Sequence, residues 1–161
     1  MKKIIYVAIS ILILSCSSDE KVSNTNNTPL IVEPIIGKWK LQKEVFINSS
    51  NNITYTINAS SCETISYSEF KANNTINFVS YELNSNNNCD LITKTLEYGN
   101  WQKTNNNNYK FILKFQGESE EISNENIEFT DSNNTMIYKS TGTYFANGQS
   151  FNTQHEYRVR I

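Results

Sequence analysis

GKWKLQKEVFI, residues 37–47, alternates apolar and polar side chains. Trp39, Leu41, Val45 and Ile47 share one parity, and Lys38, Lys40, Gln42 and Glu44 share the other. Side chains of a strand point to opposite faces in turn, so a period of two marks a strand with one buried face. The same pattern closes the chain in HEYRVRI, where Tyr157, Val159 and Ile161 alternate with Glu156, Arg158 and Arg160. Between them, NYKFILKF sets Tyr109, Phe111, Leu113 and Phe115 against Lys110 and Lys114. In TINFVSYEL the parity slips after Phe78, from Ile76 and Phe78 to Val79, Tyr81 and Leu83, as a β-bulge would make it do.

The punctuation between these runs is asparagine: residues 51–52, 73–74, 86–88, 105–108 and 133–134, and Asn147 before Gly148. Asparagine tolerates the left-handed backbone of tight turns, so each cluster suits a hairpin connection. Eight or so short strands joined by such turns, with no long amphipathic helix, predict an all-β, antiparallel barrel or sandwich. Gly37-Lys38-Trp39 and Gly99-Asn100-Trp101 each place a tryptophan at the start of a strand.

Upstream of this body the chain has a different character. Lys2 and Lys3 precede an apolar run from Ile4 to Leu14, shorter than the roughly 20 residues a membrane helix needs. That is the layout of an export signal. Leu12-Ile13-Leu14-Ser15-Cys16 resembles a bacterial lipobox, which implies cleavage before Cys16, a diacylglyceryl group on its sulfur and a fatty acyl chain (palmitate) on the new amine. Two or three acyl chains anchor a protein stably where one does not. The acidic Ser17-Ser18-Asp19-Glu20 resembles the stretch that follows the lipidated cysteine in Bacteroidota-type lipoproteins. It implies an outer-membrane address and a surface-exposed face. Residues 1–15 thus read as a lipoprotein signal peptide and 16–34 as a lipidated N-terminus and flexible tether. Residues 35–161 are one domain, long enough for a single core.

The whole chain of 161 residues carries a formal charge of −2 and has no basic cluster, which argues against nucleic acid as a partner. With Cys16 lipidated, Cys62 and Cys89 remain, and an even pair in an exported chain reads as a disulfide. Zinc is the rival reading, but with one histidine the chain lacks a ligand set, and no metal or other cofactor is expected.

Gly37-Lys38-Trp39 opening the first strand, Cys62 and Cys89 around a hairpin, Gly99-Asn100-Trp101 and the closing Tyr157-Arg158-Val159 together resemble the lipocalin-like domain of Bacteroidota lipoproteins. The resemblance covers residues 35–161 and the leader. It implies an up-and-down β-barrel of about eight strands whose interior can hold one small ligand. It also implies that Trp39, beside Gly37, packs across the closed end under an arginine of the last strand, Arg158 or Arg160. Aromatic residues form 12% of the chain, and Tyr81, Trp101, Phe111, Phe115 and Tyr138 are the candidate walls of a ligand cavity.

No constellation supports catalysis, and the chain is expected not to be an enzyme. His155 has no Gly-x-Ser-x-Gly elbow to serve; alternation pairs it with Tyr157 and Val159 and points it inward near a barrel mouth. The acidic residues 117–131 lack a calcium-loop pattern and read as a solvated hairpin around Ser123 to Asn126, with Ile122, Ile127 and Phe129 turned inward. Two functions follow. One is a lipid-anchored envelope protein holding a small apolar or amphipathic ligand. The other is a structural or accessory subunit of an outer-membrane complex, with a filled barrel and an envelope protein as partner.

Overall fold

At Gln42 the alternation of residues 37–47 breaks. A computed structural model of the chain describes residues 32–50, 53–92 and 94–161. Cys16, the leader and the polar stretch to residue 31 lie outside them. The described chain forms β1 (Gly37–Asn48), β2 (Ile53–Asn58), β3 (Tyr67–Phe70), β4 (Ile76–Val79), β5 (Tyr81–Leu83) and β6 (Cys89–Leu91). There follow β7 (Leu96–Lys103), β8 (Asn108–Phe115), β9 (Glu121–Thr130), β10 (Thr135–Ala146) and β11 (Gln149–Arg160), with one 3-10 turn at Asp131–Asn133.

Eight strands make an antiparallel, up-and-down barrel in the order β4-β3-β1-β11-β10-β9-β8-β7. The ends of this path meet at a seam, where Thr75 and Asn100 form one bridge and the Trp101 amide donates to the Asn74 carbonyl at 2.9 Å. Full closure removes the exposed edges that an open sheet presents; here it is nearly complete. β2 lies off the circuit on the C-terminal half of β1, while β3 takes the N-terminal half. β5 and β6 pair only with each other. The parity slip after Phe78 is therefore not a bulge: the chain leaves the barrel at Ser80 and starts a separate hairpin. Cys62, in the connection before β3, is disulfide-bonded to Cys89 at the start of that hairpin's second strand, β6.

The bulge lies instead in β1. Leu41 pairs with Arg158 and Lys43 with Tyr157, leaving Gln42 as an extra residue whose carbonyl accepts from the Ala59 amide at 3.0 Å. One added residue inverts every side chain beyond it. Trp39 and Leu41 face inward, but past Gln42 the inward residues are Glu44 and Phe46, not Val45 and Ile47.

Asparagine does punctuate the fold. Asn74, Asn87, Asn133 and Asn147 have positive φ, and Asn147-Gly148, at +48° and +71°, makes the two-residue turn from β10 to β11. The acidic segment is no hairpin at Ser123–Asn126; it is the continuous strand β9, with its turn earlier, at Gln116–Glu120. Ile127 is fully buried, whereas Ile122 points out and is 55% exposed.

The closed end is packed solid. Trp39, Ile35, Ile127, Met136 and Tyr109 are buried there with Phe70, Ile76, Trp101 and Phe111. The Trp39 indole N–H donates to the Ile35 carbonyl at 2.7 Å. Over its ring lies the Arg160 guanidinium, 4.3 Å from the centre, hydrogen-bonded to the carbonyls of Pro34, Ile36 and Asn133. Of the two arginines the sequence left open, Arg160 is the one on Trp39. Gly37 makes room for it: its φ is +140°, and a Cβ there would stand 2.4 Å from the Arg160 Nη1. Glu33, at the edge of the tether, docks on the same end through Lys103 at 2.9 Å.

Candidate functional site

Strand register stacks the inner face of the barrel in rows. Leu41, Arg158, Met136 and Phe129 lie opposite one another across β1, β11, β10 and β9. One row further from the closed end come Glu44, Glu156, Tyr138 and Ile127, and then Phe46, Gln154 and Ser140. The chain thus changes from an oily packed end to a polar interior within two rows.

A hollow opens at this change. It measures about 270 Å³. Phe70, Ile76, Phe78, Phe111 and Leu113 form its apolar wall, with Ser68 among them on β3, and Glu125, Gln154, Glu156 and Arg158 also line it. A second hollow of about 300 Å³ adjoins it, sharing Ser68, Phe78, Glu156 and Arg158 and adding Glu44, Glu63 and Tyr81. It sits where β1 has passed from β3 to β2, so the wall between Leu41 and Ser66 is not sheet-paired. Both volumes are near the lower end of the roughly 300–1,000 Å³ usual for small-molecule sites.

Arg158 is the electrostatic centre. Its Nε donates to Glu156 and its Nη1 to the Ser68 hydroxyl at 3.0 Å. Its guanidinium stands 5.6 Å from the centre of the Tyr138 ring. Burial opposes its charge, but Glu156, Tyr138 and Glu44 outweigh that and keep it protonated. Across the strand pair, the Gln154 amide donates to Glu44 at 2.9 Å. Burial first, then the charges of Glu156 and Glu63, holds the Glu44 carboxyl above its usual range. Burial also pushes the Tyr138 hydroxyl up.

The residues singled out from sequence fall in several places. Phe111 and Tyr138 line the first hollow and Tyr81 the second. Trp101 is buried in the closed-end cluster, its indole N–H on the Lys71 carbonyl at 3.1 Å, and lines neither hollow. Phe115 lines a separate groove with Phe78, Ile92 and Lys94. Arg158 does not pack on Trp39; the pairing that puts Arg160 opposite Trp39 sends Arg158 one row inward.

His155 does not point inward. On β11 it is the alternate residues Gln154, Glu156 and Arg158 that line the hollow, so His155 and Tyr157 face outside. Lys43 stacks on the Tyr157 ring there at 4.8 Å. Burial among outer-face neighbours, and then Lys139, lowers the His155 pKa. Glu44, Ser68, Gln154 and Glu156 were not singled out at all. One signal was present: Phe46 shares parity with Glu44, and a large aromatic on the supposedly solvated face hints that the faces exchange along β1.

Residues 35–138 match the family model described as a lipocalin-like domain. No curated protein matches the chain.

Proposed function

The chain belongs to the lipocalin-like domain family, and from that footing we propose that its barrel holds one small amphipathic molecule at the cell envelope. An eight-stranded barrel of this kind either fills with side chains or encloses a single small ligand. The carrying observation is the hollow above the packed end, with aromatic and aliphatic side chains on one wall and Gln154, Glu156 and Arg158 of β11 on another. Such a wall pair suits a molecule with an apolar body and a polar head. A filled barrel serving as an accessory subunit draws on the solid closed end and on exposed Leu83, Leu91 and Phe145. The hollow favours the first reading.

Phe111→Arg tests it. The long cation would project into the first hollow beside Tyr138, and uptake of a neutral fluorescent apolar probe such as N-phenyl-1-naphthylamine should be abolished. Ser140→Trp fills the same space from the opposite wall and should act alike, so a folding defect in one variant does not decide the outcome. Normal uptake by both folded variants would rule out an interior site.

The anchor is part of the proposal. Cys16 carries the lipid, the mature chain starts there, and the barrel stands off the outer membrane on the polar residues that follow, facing outward. The support is the short apolar run, its basic start and the Leu-Ser-Cys ending. Cys16→Ala should stay uncleaved and take up no fatty-acid label in growing cells. Retained label would remove the lipoprotein reading, and resistance of the barrel to protease added to whole cells would remove the outward face.

A further inference from the structure

We propose that the outer edge of β2 joins a second copy of this chain, strand against strand, in an antiparallel pair centred on Tyr55. This surface is separate from the interior site and does not depend on it.

β2 stands off the barrel circuit and pairs with β1. No strand lies on its other edge among the described residues. Five of its six residues are exposed, Ile53 and Ile57 by 40% and 41%. The register decides which backbone groups that edge presents. The Ala59 amide donates to the Gln42 carbonyl at 3.0 Å, and from there Lys43 to Asn48 run opposite Asn58 to Ile53. Antiparallel partners exchange bonds at every second residue. Ile57 and Tyr55 therefore direct their amides and carbonyls at β1, and Thr54 and Thr56 direct theirs away. Edges of this kind are templates for another chain, and proteins blunt them with charge, proline or shortness. β2 is of ordinary strand length, and residues 53–58 include no Asp, Glu, Lys, Arg, Pro or Gly.

The occupant follows from the order of the side chains. Residues 52–58 read NITYTIN, the same in both directions. Turned about a two-fold axis at Tyr55, one β2 meets another with Tyr55 opposite Tyr55, Thr54 opposite Thr56 and Ile53 opposite Ile57. In that register Tyr55 takes the position without hydrogen bonds, and the Thr54–Thr56 pairs exchange the bonds that point outward. The backbone and the palindrome thus require the same axis. Aromatic, threonine and β-branched pairs of this kind stabilise neighbouring strands, and no like charges meet. A two-fold contact of one edge with itself uses that edge on both copies, so assembly closes at the dimer.

Disulfide trapping in the full chain tests this, with Cys16→Ser so that the introduced thiol is the one free to react. Across the pair, Thr54 and Thr56 would have Cα atoms about 5.5 Å apart, within disulfide reach. Each would stand roughly 8–9 Å from its own counterpart, beyond that reach. An oxidised mixture of Thr54→Cys and Thr56→Cys chains should therefore give at least about fivefold more linked dimer than either chain alone. Both positions are exposed, so neither substitution threatens the fold. Adding Thr56→Pro to the Thr54→Cys chain should abolish the link. The Thr56 amide points away from β1, so the proline removes no bond of the chain's own ladder. No excess of the mixture over the single chains, or a link that survives the proline, would overturn the proposal.

Discussion

Trp39→Ala should cost the barrel about 4 kcal/mol or more, enough to leave a domain of ordinary stability close to unfolding. The ring is wholly buried, and truncating a buried tryptophan costs about 3–5 kcal/mol from lost transfer energy and the cavity left behind. Here more is lost than the ring. The indole N–H satisfies the Ile35 carbonyl at the point where the chain enters the barrel. The ring face supports Arg160, whose guanidinium ties two carbonyls of the entering chain to one in the turn between β9 and β10. Without it the cation stands over a void. Urea unfolding followed by tyrosine and tryptophan fluorescence measures the effect, with Trp39→Phe as the variant that keeps most of the volume and loses the hydrogen bond. A loss below about 2 kcal/mol for Trp39→Ala would mean that the closed end is held mainly by the Phe70, Ile127 and Met136 packing.

Removing the Cys62–Cys89 disulfide should cost about 3–4 kcal/mol and lower the melting temperature by roughly 10 °C. The two cysteines are 27 residues apart, and closing a loop of that length restricts the unfolded chain by about this much on the chain-entropy account. The loss should not be spread evenly. The β5–β6 hairpin pairs with no barrel strand and touches the rest through bonds such as the Tyr81 amide to the Ser66 hydroxyl at 2.8 Å. Hydrogen exchange of a Cys62→Ser, Cys89→Ser variant should show residues 81–91 unprotected while β8 and β10 stay protected. Uniform loss of protection would mean that the hairpin and the barrel unfold as one unit.

Much of the fold was legible. In β8 the alternation of Tyr109, Phe111 and Leu113 against Lys110 and Lys114 is clean, because a barrel strand has one oily face and one wet one. The asparagine clusters marked turns for a local reason: a short amide side chain lowers the cost of the left-handed backbone. The cysteine pair was readable because, beside a single histidine, two thiols lack the ligand set of a zinc site, which leaves a disulfide as the ready use.

The interior was not legible, and β11 shows why. Period two separates two faces, but it does not say which is inside when each carries a mixture. Tyr157 and Val159 looked like the buried set. They face outward, where Lys43 covers the Tyr157 ring, and the inner set is Gln154, Glu156 and Arg158. A barrel that keeps polar groups within must offset them through partners such as Ser68 and Tyr138, which are remote in sequence. Nor could strand exit be read at Ser80, since a bulge and a departure from the sheet both shift parity by one. The choice between Arg158 and Arg160 needed the register of β1 on β11, which depends on the bulge at Gln42.

Gln42 thus acts as a spacer whose place outside the ladder matters more than its chemistry. Any residue that can pass through the bulge would leave Glu44 and Phe46 looking into the barrel. A strand of the same length that took Gln42 into the ladder, with no bulge, would turn Val45 and Ile47 inward and put both Glu44 and Phe46 outside. Deleting Gln42, by contrast, would keep the present pairing and faces. Among chains with this first strand, the wetness of the interior would then depend on whether that one residue is bulged out or paired, and comparing residue types column by column would miss it.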